Sequence, residues 1–400
     1  MAGALPHVVH VISSVDPRAG GTTTQLVSLV KAQVELGMTV SVISTYANDF
    51  DPSAAEIMQA GGAYLELVGP CTAVMAWHPK ISRVLRDVVA NSNLLHIHGL
   101  WEEIQHRAAV IARESNIPYL FSLHGTLEPW SMQQSRLKKQ IYMAVRMKKN
   151  LAEASALHYS DSLEQELTRD WRLSTPAIIQ GYAVDLSPFE RMPSQGMFRR
   201  AFPAVGDTPY ALFLGRLHPR KGLDILMQAF AAGALQNTML VIAGPTGQDG
   251  YLEELKRIAE EFKITDRVIF TGMVEGNIRS AAFADATVSV MPSHSDNFGT
   301  AAIESLACGT PVIISDHVAM SRQIALNSVG EVVAVALSPI SDAINKWMSD
   351  PAKSAQTGAL GRDWAFRNFD SKASALAWAQ HYDDILTGQI GLRGGRAMTA

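Results

Sequence analysis

An α/β fold of two doubly wound, Rossmann-like domains facing a cleft is predicted by three observations. Short apolar runs alternate with segments of helical period, a pattern that produces parallel sheets covered by helices on both faces. The alternation runs through the chain twice. Between the two sets, from Asp185 to Pro209, lie Pro188, Pro193, Gly196, Pro203, Gly206 and Pro209 with little apolar periodicity, the composition of a linker. The expected organisation is a first domain over 1–188, a linker over 189–206 and a second domain over 207–370. A C-terminal helix over 371–388 is expected to pack back on the first domain, followed by a flexible Gly-rich tail over 389–400.

In the first half the expected strands are Val8–Val15, Thr39–Thr45, Leu94–His98, Pro118–His124 and Ala156–Tyr159, with helices over Thr23–Leu36 and Met132–Glu153. In the second half the strands are Tyr210–Leu214, Met239–Ala243, Val268–Thr271, Ala286–Met291 and Val312–Ser315, with helices over Leu223–Ala232, Tyr251–Phe262 and Thr300–Ala307. Ligands of such sheets bind beyond the carboxyl ends of the strands, so residues just after a strand carry most weight.

Composition narrows the class. With 400 residues, 47% hydrophobic, 18% charged and a formal net charge of -4, the chain has ample material for two cores and no basic excess suited to nucleic acid. Cys71 and Cys308 lie far apart and form no metal or redox motif, as expected of a reducing, cytoplasmic setting. The start of the chain shows neither a basic leader nor a long apolar stretch, so neither a signal peptide nor a membrane span is expected. No Asp-x-Asp follows a strand and no His or Cys pair has ligand spacing, so no metal site and no cofactor are expected.

The segment from Ser293 to Ile313 is the most specific. After the strand ending at Met291 it sets Asp296 and Glu304 at the mouth of a helix, with Asn297, Phe298, Gly299 and Thr300 as the turn between them. A helix mouth offers unpaired N–H groups and a positive dipole end to a phosphate, and carboxylates accept hydrogen bonds from sugar hydroxyls. After strand Tyr210–Leu214 comes Gly215-Arg216-Leu217-His218-Pro219-Arg220-Lys221-Gly222. Alone, Arg216 and Lys221 read as an exposed basic loop. Beside the acidic helix mouth they are enough cation to neutralise a diphosphate.

Taken together, these residues resemble the family 4 retaining glycosyltransferases of GT-B fold, most specifically through Gly215 to Gly222 and Pro292 to Val312, and through His124 to Trp130 they resemble the bacterial group that builds exopolysaccharide, capsule or O-antigen. The resemblance implies that Arg216 and Lys221 hold the diphosphate, that Asp296 and the amides of Phe298, Gly299 and Thr300 face the donor sugar, and that Glu304 binds the ribose. It also implies that Met273 and Val274 contact the base, that Gly20 and Gly21 approach the donor phosphates, and that His124 lies against the donor sugar. The family's acidic motif is Glu-x7-Glu. Here Asp296 takes the first place, one methylene shorter, with a reach reduced by about 1.5 Å.

Without that resemblance Gly20-Gly21 is a strand-to-helix turn, and a histidine at a strand end, such as His98 or His124, is a structural hydrogen-bonder. Trp101, Glu128 and Trp130 are candidate acceptor contacts, since aromatic faces suit sugar rings and a carboxylate suits hydroxyls. The stretch Arg136 to Asn150 carries Arg136, Lys138, Lys139, Arg146, Lys148 and Lys149 beside Leu137, Ile141, Tyr142 and Val145. It reads either as an amphipathic helix with a solvated basic face or as a patch drawn to anionic lipid at the inner face of the plasma membrane. The expected function is retaining transfer of a sugar from a UDP- or GDP-sugar to a glycan or polyprenyl-diphosphate-linked acceptor. A nucleotide-sugar epimerase on the same fold and a non-catalytic sugar-nucleotide-binding subunit are the alternatives.

Overall fold

The computed structural model describes residues 5–71, 75–233, 237–296 and 298–390. The chain forms two compact units, one made of residues up to Val184 together with those from Ser371, the other of Asp185–Asp370. In the first unit the strands are β1 (His7–Ile12), β2 (Thr39–Thr45), β3 (Tyr64–Val68), β4 (Leu94–His98), β5 (Tyr119–Ser122), β6 (Ala156–Tyr159) and β7 (Ala177–Ile179). They lie in one sheet in the order β3-β2-β1-β4-β5-β6-β7, and every pairing is parallel. The inner strands β1, β4 and β5 are covered on both faces, which is why their sequences are almost unbroken in apolar residues except for histidines.

The helix Ser371–Leu386 packs on the helix Gly21–Glu35 of this unit. Its Trp378, Ala379, Tyr382 and Ile385 fall on one face at helical spacing and join the core formed by Val8, Leu26 and Val30. Residues 391–400 of the expected tail lie outside the described residues. Gln389 is tied back by its amide to the Asp384 carbonyl at 2.8 Å.

The second unit repeats the plan. Strands β8 (Tyr210–Leu214), β9 (Met239–Ala243), β10 (Val268–Gly272), β11 (Val288–Met291), β12 (Val312–Ser315) and β13 (Gly330–Val333) are ordered β10-β9-β8-β11-β12-β13, again all parallel. In each sheet the order reverses beside the first strand of the set, so the carboxyl ends of β1/β4 and of β8/β11 are the switch points where such sheets bind ligands.

The structure corrects the sequence in three places. Residues 189–206 are not a free linker but part of the second unit. They contain a helical turn, Met197–Ala201, pinned by amides of Gly196 and Phe198 donating to the Asp285 carboxylate at 2.8 and 3.0 Å. The Phe198 ring is fully buried near Tyr210. One buried aromatic anchors a segment whose Pro and Gly content serves turns rather than mobility. The expected helix Met132–Glu153 is broken, because Ser135 takes a left-handed conformation (φ 58°) and a π-turn occupies Met143–Met147. Strands β3, β7 and β13 were not anticipated, and all three lie at sheet edges, where partial exposure or short length removes the apolar run.

Candidate active site

The loop after β8 is built to touch the loop after β11. His218 opens a single tight turn by accepting the Arg220 amide on Nδ1 at 3.1 Å. The turn closes at Gly222, whose φ of 67° suits glycine and whose Cα is so close to the neighbouring loop that a Cβ would stand 2.3 Å from the Pro292 carbonyl oxygen. The His294 amide donates to the Arg220 carbonyl at 2.9 Å. This contact delivers two cations to the acidic loop. The Lys221 ammonium forms an ion pair with Asp296, and the Arg220 guanidinium donates to the Ser295 carbonyl at 2.7 Å and hydroxyl at 3.2 Å.

Burial acts to raise the Asp296 carboxyl, but the Lys221 charge and hydrogen bond, the Arg220 charge and the Phe298 amide outweigh it and hold it below the usual range. His218 is lowered, first by burial and then by Arg216, Arg220 and Lys221. Three cations therefore surround one short turn. Arg216 is exposed, and its stem lies against Gly247 in the loop after β9.

The helix Thr300–Ala307 begins at Gly299, which sits at φ 86°. Phe298 is buried against Phe369, and its amide serves the Asp296 carboxylate. Asn297 lies outside the described residues. One turn into the helix, Glu304 is buried and paired with Arg279 from the helix Gly276–Ala284 that follows β10. Between β10 and that helix Met273 is exposed and Val274 buried, and Gly215 directly follows β8. Arg216, Gly215, Lys221, Asp296, Phe298, Gly299, Thr300, Glu304, Met273 and Val274 are thus all placed beyond the carboxyl ends of β8, β10 and β11. Sequence reasoning did not single out Arg220 or Arg279. Their signal was position alone, one in the basic turn and the other on the helix after β10.

In the first unit Gly20, at φ 111°, caps the helix that Gly21 begins beyond β1. His124 follows β5 in a left-handed conformation (φ 52°) and is buried. Both of its ring nitrogens are used, Nε2 with His98 Nδ1 at 3.0 Å and Nδ1 with the Tyr182 hydroxyl at 2.6 Å. Its imidazole therefore keeps no uncommitted N–H for a substrate. Glu128 is also buried, and one face of Trp101 is covered by Lys139, whose ammonium stands 5.3 Å from the ring centroid. Glu128 is thus largely enclosed, and Trp101 keeps one face covered by Lys139. The side chain of Trp130 lies outside the described structure.

Sequence spacing showed no metal ligands, yet the sheet brings ring nitrogens of His10, His96 and His98 within 4.8 Å of one another. Their donor atoms are already committed. His10 bonds His98 and Gln33, His98 also bonds His124, and His96 bonds Tyr382 and Ser122. Both thiols are raised by burial, Cys308 to about 12, which makes neither a ready nucleophile.

Of the six expected basic residues, Lys139 is tied to the Ser131 carbonyl at 2.6 Å, Arg146 lies 3.6 Å from Glu103, and Lys149 lies 3.8 Å from Glu153. Arg136, Lys138 and Lys148 are exposed. Beside them Leu137, Ile141 and Val145 are 70%, 56% and 74% exposed, one apolar stripe at four-residue spacing. Among the described residues no helix is long and apolar enough to cross a membrane.

Two parallel sheets whose first six strands share one order, one sheet carrying a cation–carboxylate cluster at its switch point, define a doubly wound α/β protein of two Rossmann-like units. Residues 195–364 match the family model described as glycosyl transferases group 1, and residues 20–178 match the glycosyl transferase 4-like domain. A D-inositol 3-phosphate glycosyltransferase of Xylanimonas cellulosilytica is 31% identical over 42% of this chain and 41% of its own length, so that match spans about two-fifths of the relative. A GDP-mannose-dependent α-(1-6)-phosphatidylinositol monomannoside mannosyltransferase of Mycobacterium tuberculosis is 26% identical over 95% of this chain and 99% of its own. The Anabaena HepE protein, solved with UDP and glucose, shares the fold with a TM-score of 0.77 at 17% identity, covering 95% of this chain and 100% of that one. The chain belongs to the family 4 glycosyltransferases of GT-B fold.

Proposed function

We propose that the protein moves a sugar, with retention of configuration, from a nucleotide diphosphate sugar to a hydroxyl of a glycan or polyprenyl-diphosphate-linked acceptor, in the assembly of a bacterial surface polysaccharide. The observation that carries this reading is the convergence of Arg220 and Lys221 on the Asp296 loop, with Arg216 in the same basic loop and Glu304 one helical turn away. The donor's diphosphate would draw Lys221 from Asp296 and bind it together with Arg216. Asp296, released from its partner, would accept a hydrogen bond from a sugar hydroxyl. Glu304, oriented by Arg279, would accept from the ribose hydroxyls, and the Met273–Val274 backbone would meet the base. In the first unit, the Gly20–Gly21 turn and the His124 turn are candidate substrate contacts by the family resemblance alone.

In the reaction the bond between C1 and the diphosphate oxygen breaks while the acceptor oxygen bonds to C1 on the same face. The acceptor's proton passes to the departing phosphate. Arg216 and Lys221 stabilise the charge that collects there, electrostatic assistance of a fixed, preorganised kind. The GDP-mannose dependence of the mycobacterial relative and the UDP and glucose held by the Anabaena protein make UDP- and GDP-sugars the donors to try first. The exposed Leu137, Ile141 and Val145 beside Arg136, Lys138 and Lys148 fit a peripheral contact with anionic lipid on the cytoplasmic side of the membrane, where a lipid-linked acceptor resides. Nucleotide-release screening of UDP-, GDP- and ADP-sugars, each with lipid-linked acceptors, tests the reading. Release from one base class that depends on acceptor supports it, and no release from any donor overturns it.

A further inference from the structure

The first unit contains a continuous buried chain of nine hydrogen bonds, each 2.6 to 3.1 Å long. It runs Tyr182–His124–His98–His10–Gln33–Tyr382–His96–Ser122–His158 and ends on the Gln180 carbonyl. Its members come from β1, β4, β5, β6, the segments after β5 and β7, the helix Gly21–Glu35 and the helix Ser371–Leu386, and every side chain in it is at least nine-tenths buried.

One anchor fixes the direction of all nine bonds. The Gln180 carbonyl can only accept, so His158 donates from Nε2 and its Nδ1 accepts. Ser122 must then donate to His158 and accept from His96 Nε2, and His96 Nδ1 accepts from the Tyr382 hydroxyl. Tyr382 in turn accepts from the Gln33 amide nitrogen, which leaves Gln33 Oε1 facing His10 Nε2. His10, His98 and His124 follow in the same sense, each donating from Nε2 and accepting on Nδ1, until Tyr182 donates into the last ring. Each residue gives one proton and takes one, so no member can reverse alone. Burial lowers His10 and His158 to about 4 and His124 to about 3, and holds His96 and His98 well below 6.5, which keeps every ring neutral.

The Tyr182 end of the chain, where the hydroxyl also bonds Ser160, holds the turn that follows β5. His124 and Gly125 are consecutive left-handed residues, at φ 52° and 67°, and a side-chain-bearing residue stays there only where its surroundings hold it. The Glu164 carboxylate braces the other side, accepting the Gly125 amide and the Ser160 amide at 2.6 Å each.

We propose that His98, His10, Gln33 and Tyr382 are positioning residues for the His124–Gly125 turn, acting through this one-way chain, so that the C-terminal helix helps to set the geometry of the β5 end. The assignment of that turn to the donor sugar rests on the function proposed above, whereas the chain itself does not.

The test uses the full-length protein labelled with 15N in histidine and glycine. Imidazole NMR should show His10, His96, His98, His124 and His158 all as the neutral Nε2–H tautomer. Tyr382→Phe removes one hydroxyl that bonds to Gln33 and His96 but to none of His10, His98 or His124. It should leave the protein folded, give mixed tautomers at those three rings, and shift the Gly125 amide resonance. A merely structural Tyr382 would lower the melting temperature and leave those tautomers unchanged. An Nδ1–H form at any of the five rings in the native protein, or unaltered His124 and Gly125 signals in Tyr382→Phe, overturns the proposal. UDP-glucose and GDP-mannose binding then separates the two claims. Loss of about tenfold in affinity in Tyr382→Phe, the worth of one buried hydrogen bond, ties the turn to the donor. Absence of binding to the native protein sinks the donor reading while the tautomers still decide the chain.

Discussion

Lys221→Met removes the ammonium that reaches Asp296 while keeping most of the stem. Two effects follow, and they separate. A fixed cation on the departing diphosphate is worth ~3–4 kcal/mol in the transition state, so turnover should fall by ~10²–10³-fold. In the free protein Asp296 loses its nearest countercharge, and only the Arg220 charge and the Phe298 amide still oppose burial. Removing one partner of a fully buried pair costs ~3–5 kcal/mol, and an exposed pair is worth less than ~1 kcal/mol. Lys221 and Asp296 are 23% and 18% exposed, so the loss of stability should be ~1–2 kcal/mol. Adding Asp296→Asn to Lys221→Met removes the orphaned charge and should recover stability without recovering turnover. Nucleotide release at saturating donor and acceptor, with thermal melts on the same samples, reads both effects. Near-native turnover in a folded Lys221→Met protein would refute the placement of the diphosphate.

Other expectations follow from the same structure. Arg279→Leu leaves the buried Glu304 unpaired and should weaken nucleotide-sugar binding by about tenfold or more, with a smaller effect on kcat, read by calorimetry and steady-state kinetics. Stability should be full above pH 6.5 and fall as pH drops towards 4, because the unfolded chain then takes up protons that His10 and His158, held at about 4, refuse. The gap at one such histidine corresponds to ~3 kcal/mol. Glu164, raised to about 7 by burial, acts in the opposite sense, its contribution being lost as pH rises from 4.5 to 7, so Glu164→Gln should steepen the acid side of a melting-temperature profile. Replacing Leu137, Ile141 and Val145 by Ser should abolish co-sedimentation with anionic vesicles and leave turnover on a soluble acceptor unchanged. Equal sedimentation of native and substituted protein would remove the lipid contact.

Much of the second unit was legible because its function is local in sequence. Strand β8 and its basic turn are contiguous, and Asp296, Phe298, Gly299 and Glu304 fall within one strand-to-helix connection. What escaped was whatever depends on register between distant segments. Arg279 meets Glu304 only because the helices that follow β10 and β11 pack against each other, and Arg220 is distinguished from its charged neighbours only by its bonds to Ser295. The same holds for the histidines of the first unit. Read singly, His10, His96, His98 and His158 are polar interruptions of apolar strands, and only parallel pairing of β1, β4, β5 and β6 stacks them into one network. The edge strands β3, β7 and β13 were missed for a different reason, since a strand at an edge has no need of a continuous apolar run. Residues 189–206 misled through composition, because one buried Phe198 outweighs the loop character of the prolines around it.

In the proposed function the Lys221 turn and the Asp296–Glu304 helix mouth together bind a nucleotide sugar. Saturation-transfer NMR with UDP-glucose and GDP-mannose tests it most directly. Base, ribose and anomeric protons should saturate for one of the two donors, with the ribose signal weakened in Glu304→Ala and binding weakened throughout in Lys221→Met. Saturation that is the same in the native protein and in both variants would show that the donor binds elsewhere.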